Sequence, residues 1–371
     1  MNTQNLGISK NLNVSIVIPV RDNFKGICSL IKALENQDNK NFELIIVDDG
    51  SKPPIKIPKN LLKNSQLLRL RSNMGQGIAR NMGAKMAKGQ LILFTDSDCS
   101  PNPQWVSTYV KLYKKGHKII ASSFFSGSNN NLVANLRSDE SNFYQLSYEA
   151  RVNCFTTSNL AIDNKTFHEC GGFPGLRVGE DFLLGYKLFN MNENTYWYPN
   201  NKVHQNNRTN PISYLHQQFE WAKAVFIFRL ILPLVSDMKW NVRHSSLRLQ
   251  ILVTLSVLLC IPFSIYFTFF LYIILTSIML VLALNLPFIS FIIHKRGYLA
   301  TIKTLIFIVV FRNVCWTASL IRVFISPYIW LGFIRAKSME TAIYNNKKKR
   351  KSITQSSIQL IEKMDIISKY S

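Results

Sequence analysis

The sequence predicts an α/β fold, with a mostly parallel sheet flanked by helices, followed by a C-terminal helical membrane region. Two observations predict this class. Between residues 14 and 235, short runs rich in Val and Ile alternate with segments of helical periodicity, as in a parallel sheet covered by helices on both faces. Between residues 249 and 293 no side chain is charged, and one bilayer crossing needs about 20 apolar residues.

The early elements follow from local patterns. Residues 14–20 (VSIVIPV) form the first predicted strand, and the spacing of Ile27, Leu30, Ile31 and Leu34 predicts a helix over residues 26–37. The same patterns then predict strands over 42–47, 67–70 and 91–94, and a helix over 77–87. Ligands of such sheets bind at the carboxyl ends of the strands. The residues that follow the strands therefore form the candidate site.

Acidic residues follow three of the predicted strands. Asp22 lies in the turn after the first strand, Asp48 and Asp49 after the second, and Asp96 and Asp98 after the fourth. A carboxylate pair alone is common in turns, but three acidic clusters at one sheet edge favour a ligand site. The chain has no P-loop and no GxGxxG after the first strand, which argues against ATP and dinucleotide binding. The predicted ligand is a nucleoside diphosphate bridged by Mg²⁺ or Mn²⁺, since both ions take oxygen ligands.

Six motifs resemble, in order and spacing, those of the inverting glycosyltransferases of family 2. They are SIVIPVRDN at 15–23, VDDGS at 47–51, NMGQGIARNMG at 73–83, TDSD at 95–98, GGF at 171–173 and GED at 179–181. The resemblance extends over residues 14–220. It implies a Rossmann-like GT-A fold and transfer of a sugar from a nucleotide diphosphate to an acceptor hydroxyl.

The resemblance also assigns roles to individual residues. The nucleotide sugar would be bound by residues at the strand ends, namely Pro19, Arg21, Asp48, Asp49 and Asp96. Asp98 would bind the metal ion. Asp181 would be the base that deprotonates the acceptor hydroxyl, with Glu180 beside it as a substrate-binding residue. The helix dipole offers a structural alternative for this pair, because it favours carboxylates at a helix N-terminus.

Four further positions have a functional interpretation, and two of them, Arg80 and His204, also have a structural one. Arg80, or another nearby cation, would stabilise the departing diphosphate, but it also fits an exposed helical arginine. His204 would be a further metal or diphosphate ligand, although a single histidine is more often structural. Asn159 and Lys165 resemble donor-side or acceptor-side positions.

The segment QQFEW at 217–221 departs from the pattern of processive family members. Those enzymes carry Gln-x-x-Arg-Trp, which helps to hold a growing polymer. Gln217 and Trp221 are kept here and are predicted to bind substrate, but Glu220 replaces the arginine. The reversed charge favours addition of one sugar over polymer synthesis. The membrane region is also too small to form a polysaccharide channel, unless an oligomer builds one.

Charge and hydropathy divide the chain into four regions. Residues 1–13 are a polar tail, 14–235 the catalytic domain, 236–334 transmembrane or interfacial helices, and 335–371 a basic cytoplasmic tail. A helical hairpin is predicted over about 249–293, because basic residues flank both of its ends and place them in the cytoplasm. The stretch 301–334 carries Lys303, Arg312 and Arg322, so it is a further span, a second hairpin or a set of interfacial helices.

The net charge of +23 belongs largely with the C-terminal region. The run KKKRK at 347–351 predicts a solvated or lipid-binding segment, and we expect no nucleic-acid partner. The six cysteines lack paired spacing, which predicts reduced thiols rather than a disulfide or zinc framework. Residues 1–13 contain no apolar core of a signal peptide. The catalytic domain is therefore expected to stay in the cytoplasm.

These patterns predict a metal-dependent, inverting glycosyltransferase of the inner or plasma membrane. Its partners would be a nucleotide-diphosphate sugar, a lipid-linked or glycan acceptor, the membrane and, in an oligomer, further copies of the chain. Two alternatives remain open. A nucleotidyltransferase with a similar acidic metal site would release pyrophosphate, and a non-catalytic membrane scaffold would keep the fold without the reaction.

Overall fold

The computed structural model describes residues 13–56, 64–126, 131–146, 150–206, 209–232 and 245–327, with 329–331, 333, 356, 358, 359 and 361. An α/β domain built on one sheet comes first, and a helical region begins at residue 245. The predicted tail at 1–12, residues 236–244 and nearly all of the predicted tail at 335–371, with its basic run, lie outside the described residues.

The described residues contain nine strands in one sheet, in the order β3-β2-β1-β4-β8-β6-β9-β5, with β7 beside β9. The strands are β1 (Val14–Val20), β2 (Phe42–Asp48), β3 (Ser65–Arg69), β4 (Leu91–Thr95), β5 (Cys99–Pro101), β6 (Ile119–Phe125), β7 (Arg151–Val152), β8 (Asn159–Asp163) and β9 (Thr195–Gln205). Six strands, β1 to β4, β6 and β9, run in one direction, and β5, β7 and β8 run against them. The predicted α/β class with a mostly parallel sheet is confirmed.

Helices cover both faces of the sheet. On one face lie α1 (Phe24–Glu35) and α3 (Trp105–Lys114), and on the other lie α2 (Gln76–Met86), α5 (Asn164–Glu169) and α6 (Glu180–Asn190). Two longer connections follow strands β6 and β9, namely α4 (Leu132–Gln145) and α7 (Pro211–Ile231). The four apolar residues that predicted α1 are all buried. This helix begins two residues earlier than predicted, because the side chain of Asn23 accepts a hydrogen bond from the Gly26 N–H at 3.1 Å and caps it.

The C-terminal region begins with two apolar helices. α8 (Ser245–Ser264) and α9 (Thr268–Leu284) pack against each other and are joined by a turn at 265–267. The next helix, α10 (Leu286–Arg296), bends away from α9 by 62°. The apolar part of α8, Leu249–Ser264, is shorter than a full span. The two-crossing hairpin over 249–293 therefore stays a prediction.

One long helix follows. It consists of α11 (Tyr298–Ile306), a π-helical segment (Phe307–Arg312) and α12 (Asn313–Ile325). Together they span 28 residues with a mean hydropathy of 1.8. Within the described part of the chain, this helix is long and apolar enough to cross a membrane. The bent pair α9–α10 would count as a second crossing helix if the two helices form one span. Over its described length, the stretch predicted at 301–334 is thus mainly a single helix.

Candidate active site

One cavity of about 960 Å³ extends from the carboxyl ends of the parallel strands to the C-terminal helices. Its sheet-side half is lined by Pro19, Arg21, Asp49, Asp96, Asp98 and Asp181. Its helix-side half is lined by Arg137, Glu140, Tyr214, Trp221, Arg312 and Trp316. Of the predicted site residues, all but Asp48, Asn159, Lys165 and His204 line this cavity.

Arg80 is the buried centre of the sheet-side half. Its guanidinium donates to Asp96 Oδ1 at 2.6 Å and to Glu180 Oε1 at 2.9 Å, and only 1% of its side chain is exposed. The same Glu180 oxygen accepts a hydrogen bond from Gln76 Nε2 at 2.6 Å. Arg80 therefore ties α2 to the end of β4 and to the start of α6. Its charge is matched by two carboxylates, so the structure favours a positioning role over direct contact with a diphosphate.

Asp98 lies two residues beyond Asp96 and has a different environment. Among the described residues, no cationic side chain is within ion-pair distance of it. Its carboxylate accepts only long hydrogen bonds from Gln205 Nε2, at 3.4 and 3.5 Å, and a weak contact from Cys99 Sγ at 3.7 Å. Burial, and then the charge of Asp96, raise the pKa of Asp98 to about 6. A half-buried carboxylate without a cationic side chain beside it is suited to bind a metal cation.

Asp181 lies in the first turn of α6 and is half-buried at the cavity wall. Its Oδ1 accepts a hydrogen bond from the Phe182 N–H at 2.8 Å. Burial raises the pKa of Asp181, although that hydrogen bond and the charge of Arg80 oppose the rise. A raised pKa suits a carboxylate that must take up a proton during a reaction.

The loop before Asp181 depends on glycine. Gly179 has a φ of +83°, and a Cβ at this position would come within 2.6 Å of the Phe228 ring. Only glycine combines a left-handed conformation with this close approach to α7. The GED motif therefore sets where α6 begins, and with it the position of the Glu180 and Asp181 carboxylates.

The two neighbouring acids after β2 have different roles in the structure. Asp48 is fully buried outside the cavity, where it accepts hydrogen bonds from the N–H groups of Ser51 and Ile55, at 2.8 and 3.1 Å, and pairs with Arg69. Burial alone would raise the pKa of Asp48, but these hydrogen bonds outweigh it and lower the pKa. Asp49 lines the cavity while its carboxylate accepts from the N–H groups of Met74 and Gly75, at 2.6 and 2.9 Å. Of this pair, only Asp49 lines the cavity.

Three other predicted positions lie away from the cavity lining. Asn159 is fully buried and binds Trp105 Nε1 and Tyr109 Oη through its oxygen, at 2.8 and 2.7 Å. Lys165 is 83% exposed and lies 3.8 Å from Glu169. The ring of His204 packs edge-on against Phe125, with centroids 5.3 Å apart.

Strand alternation explains the position of His204. Successive side chains of β9 point to opposite faces, and it is the next residue, Gln205, that reaches the cavity and Asp98. The metal role of His204 stays a prediction, but the geometry favours Gln205 as the residue of β9 beside Asp98.

Segment 217–221 on α7 lies between the α/β domain and the C-terminal helices. Gln217 and Trp221 line the cavity, and their role in substrate binding stays a prediction. Glu220 pairs with Lys223 at 3.0 Å. Gln218, which had no predicted role, accepts a hydrogen bond from Trp316 Nε1 at 3.0 Å and so joins α7 to α12.

Residues of α4 were missed by the sequence analysis. Glu140 accepts from Arg312 Nη1 at 2.5 Å and from Tyr214 Oη at 2.9 Å, and all three side chains are buried. Asp139 pairs with Lys295 at 2.8 Å and with Arg296 at 2.5 Å. The cations on the apolar helices are a signal that could have indicated these acids, because a buried charge requires a partner. The sequence alone does not say which acid supplies it.

Known proteins similar to this chain indicate its class. Residues 15–180 match the family described as Glycosyl transferase family 2. An uncharacterized glycosyltransferase of Rickettsia felis is 35% identical over 99 residues, covering 26% of this chain and 16% of the relative. Glycosyltransferase AglE of Haloferax volcanii is 26% identical over 169 residues, covering 43% of this chain and 56% of the relative.

Among solved structures, the mannosyltransferase PcManGT from Pyrobaculum calidifontis, in complex with GDP-Man and Mn²⁺, has a TM-score of 0.49 at 13% identity, covering 90% of this chain and 88% of that one. The chain matches only about one sixth of the length of the rickettsial relative and just over half of AglE. Residues 15–180, within the α/β domain, are thus similar to the glycosyltransferases of family 2.

Proposed function

We propose that this protein transfers one sugar, with inversion, from a nucleotide-diphosphate sugar to a hydroxyl of a membrane-associated acceptor, such as a lipid-linked glycan. One observation carries the proposal. A single cavity joins the carboxylates at the strand ends to the apolar C-terminal helices. A donor and an acceptor of these two chemistries would therefore meet beside Asp181.

The sheet-side half would bind the donor. Pro19, Arg21 and Asp49 line it at the ends of β1 and β2, where ligands of α/β sheets bind. Asp96 lines the same half while held by Arg80 at 2.6 Å, so its second oxygen is presented in a fixed orientation. Fixed orientation lowers the entropic cost of bringing the sugar to the acceptor.

A divalent cation fits Asp98. The described residues contain no group of three or more His, Cys, Asp or Glu side chains that could hold a metal ion, so Asp98 would be joined by phosphate oxygens and water, as is usual for Mg²⁺. The ion would neutralise charge on the departing diphosphate. Arg177, an exposed cation at the cavity wall, is a better candidate than Arg80 for direct contact with that group.

Asp181 would act as the base. It would accept the proton of the acceptor hydroxyl while that oxygen attacks the anomeric carbon from the side opposite the diphosphate, which inverts the configuration. Glu180 cannot share this role easily, because Arg80 and Gln76 hold its carboxylate. The two adjacent acids thus have separate tasks, one positioning and one chemical.

The membrane would lie at the helix-side half. Apolar side chains of the C-terminal region are exposed, including Phe269 of α9 at 67% and Ile265 and Tyr266 in the turn before it at 80%, which is unusual for a surface in water. Basic residues at both ends of the predicted hairpin favour a cytoplasmic catalytic domain. Glu220, paired with Lys223, favours single addition over polymer synthesis.

A nucleotide-sugar screen tests the proposal. The full chain, solubilised in detergent, is incubated with Mn²⁺, a panel of nucleotide-diphosphate sugars and a lipid extract from bacterial membranes. We expect release of nucleoside diphosphate from one class of donor, accelerated by the extract. Release of pyrophosphate from nucleoside triphosphates would instead support a nucleotidyltransferase, and failure to bind every nucleotide sugar would support a scaffold.

A further inference from the structure

Arg137 on α4 is a cation of the helix-side half that neither the motifs nor the proposed reaction uses. Its guanidinium carbon lies 4.6 Å from the centre of the Trp221 ring and 5.9 Å from that of Phe124. Its side chain is half-buried and lines the cavity. This is a cation–π contact, which favours a fixed position of the guanidinium over the aromatic ring. The N–H groups of a cavity-lining arginine are available to a ligand in the cavity.

The acids around Arg137 have other cationic partners. Glu140 pairs with Arg312, Asp139 with Lys295 and Arg296, and Glu220 with Lys223. Among the described residues, no carboxylate is within ion-pair distance of Arg137. The helix-side half therefore carries one positive charge that the described side chains do not neutralise, whereas the sheet-side half is rich in carboxylates.

The partner ring of Arg137, Trp221, belongs to the segment in which Glu220 departs from the pattern of processive family members. The segment QQFEW has Glu220 in place of the arginine that precedes the tryptophan. In the folded chain an arginine from a different element, α4, lies over that same tryptophan. A cation therefore lies beside Trp221 at the cavity wall although α7 itself carries Glu220 at this point.

The surroundings indicate the kind of anion. Leu247 and Trp316 of the C-terminal helices line the cavity on the same side as Arg137. An anionic group here would therefore adjoin an apolar chain. The planar fork of an arginine matches phosphate oxygens with two parallel hydrogen bonds.

We propose that Arg137 is a specificity residue that binds the lipid phosphate of a lipid-linked glycan acceptor, with Trp221 packed against its guanidinium group. This inference rests on the proposed function and names the acceptor class of the same site. The proposed role of Arg137 is in acceptor selection and not in donor binding, because its helix α4 is tied to the C-terminal helices by the Glu140–Arg312 ion pair.

Binding of a matched pair of probes tests the role of Arg137. Geranyl phosphate and geraniol differ only in the phosphate, and each is titrated into the detergent-solubilised full chain. We expect the wild-type protein to prefer geranyl phosphate by about ten-fold or more, as for a hydrogen bond to a charged group. Arg137→Met should remove this preference, Arg137→Lys should keep part of it, and the control Arg151→Met, at an exposed arginine outside the cavity, should leave it unchanged.

Several outcomes would overturn the inference. An unchanged preference in Arg137→Met, with or without a lower melting temperature, would mean that Arg137 only packs on Trp221. If inorganic phosphate competes as strongly as geranyl phosphate does, the lipid chain does not contribute to binding, and the proposed lipid ligand is wrong. If geranic acid binds as tightly as geranyl phosphate, the site does not select phosphate, and the proposed phosphate specificity is wrong.

Donor hydrolysis, measured in the same proteins, separates this inference from the proposed function. We expect Arg137→Met to hydrolyse the nucleotide sugar as fast as the wild type does. If the wild type neither hydrolyses nor transfers any sugar, the proposed reaction fails, while the probe preference still decides the role of Arg137.

Discussion

At the scale of single residues, Arg80 shows how burial changes an interpretation. As part of a motif, this arginine is predicted to stabilise a departing diphosphate or to lie exposed on a helix. In the fold it is 1% exposed and joins Asp96 to Glu180. Removing one partner of a buried ion-pair network leaves the other charges uncompensated, which is costly.

Arg80→Met should therefore destabilise the fold. We expect a loss of about 3–5 kcal/mol in the free energy of unfolding, because two carboxylates lose their shared cation. Chemical denaturation of the detergent-solubilised chain measures this loss, with the exposed Arg71→Met as the matched control. If Arg80→Met is as stable as the wild type but binds diphosphate more weakly, Arg80 is a direct ligand of the diphosphate and not a positioning residue.

Asp98→Asn tests the metal site. The substitution keeps the size of the side chain but removes the charge that would hold a divalent cation. We expect nucleoside diphosphate binding to lose its dependence on Mn²⁺, measured by titration of the ion at fixed nucleotide. Glu35→Gln, at an exposed carboxylate of α1, should leave the titration unchanged. The same Mn²⁺ dependence in both variants would exclude Asp98 as a ligand.

The residue types alone could not separate the roles of neighbouring acids. Asp96, Asp98 and Asp181 could be selected from the sequence because they end strands or begin a helix at one sheet edge. Asp48 could not be distinguished from Asp49, because the N–H groups that satisfy it, from Ser51 and Ile55, depend on the folding of the following loop. Gln205 was missed because strand phase decides whether it or His204 faces Asp98.

At the scale of elements, local pattern predicts the first half of the sheet well. The apolar runs of β1, β2 and β4 and the stripe on α1 indicate their own structure. The place of β8, antiparallel between β4 and β6, depends on pairing with strands distant in the sequence and has no local signal. The ion pair between Glu140 and Arg312 attaches α4 to the C-terminal helices. It likewise has no local signal in the sequence, because the two residues are far apart in the chain.

Glu140→Gln should weaken that attachment. It leaves the buried Arg312 without its charge partner, and we expect a loss of about 3–5 kcal/mol in the free energy of unfolding. The double variant Glu140→Gln/Arg312→Met should recover most of the loss, because no buried charge then lacks a partner. Equal stability of the wild type and Glu140→Gln, measured by denaturation in detergent, would contradict a structural role for this pair. Glu169→Gln, at an exposed residue, is the control.

At the scale of the whole molecule, charge and apolar surface lie in different regions. The carboxylates lie at the strand ends, the unmatched cation lies beside Trp221, and exposed apolar side chains cover the C-terminal helices. Under the proposed function, these regions would meet a metal-bound donor, an anionic acceptor and a lipid surface, respectively. The net charge and the apolar run could be read from the sequence. The cavity that connects them could not, because it is formed by elements far apart in the chain.

The exposed apolar helices predict firm attachment to membranes. We expect the full chain to stay in the membrane fraction after washing with high salt and with alkaline carbonate, and to be released by detergent. Salt screens electrostatic binding but leaves apolar contacts in place. Release by salt alone would mean that the basic residues, and not the apolar helices, hold the protein to lipid.

The measurement that tests the central claim most directly is sugar transfer by Asp181→Asn across a range of pH. Burial raises the pKa of Asp181, so the wild-type rate should fall, as the pH is lowered, at a higher pH than an ordinary aspartate would give, because the protonated acid cannot accept the hydroxyl proton. We expect the variant to lose about 10²-fold or more of the transfer rate, together with this acid limb, while nucleotide binding is retained. Asp38→Asn, at an exposed acid, should behave as the wild type does. Full transfer activity in Asp181→Asn would contradict the account.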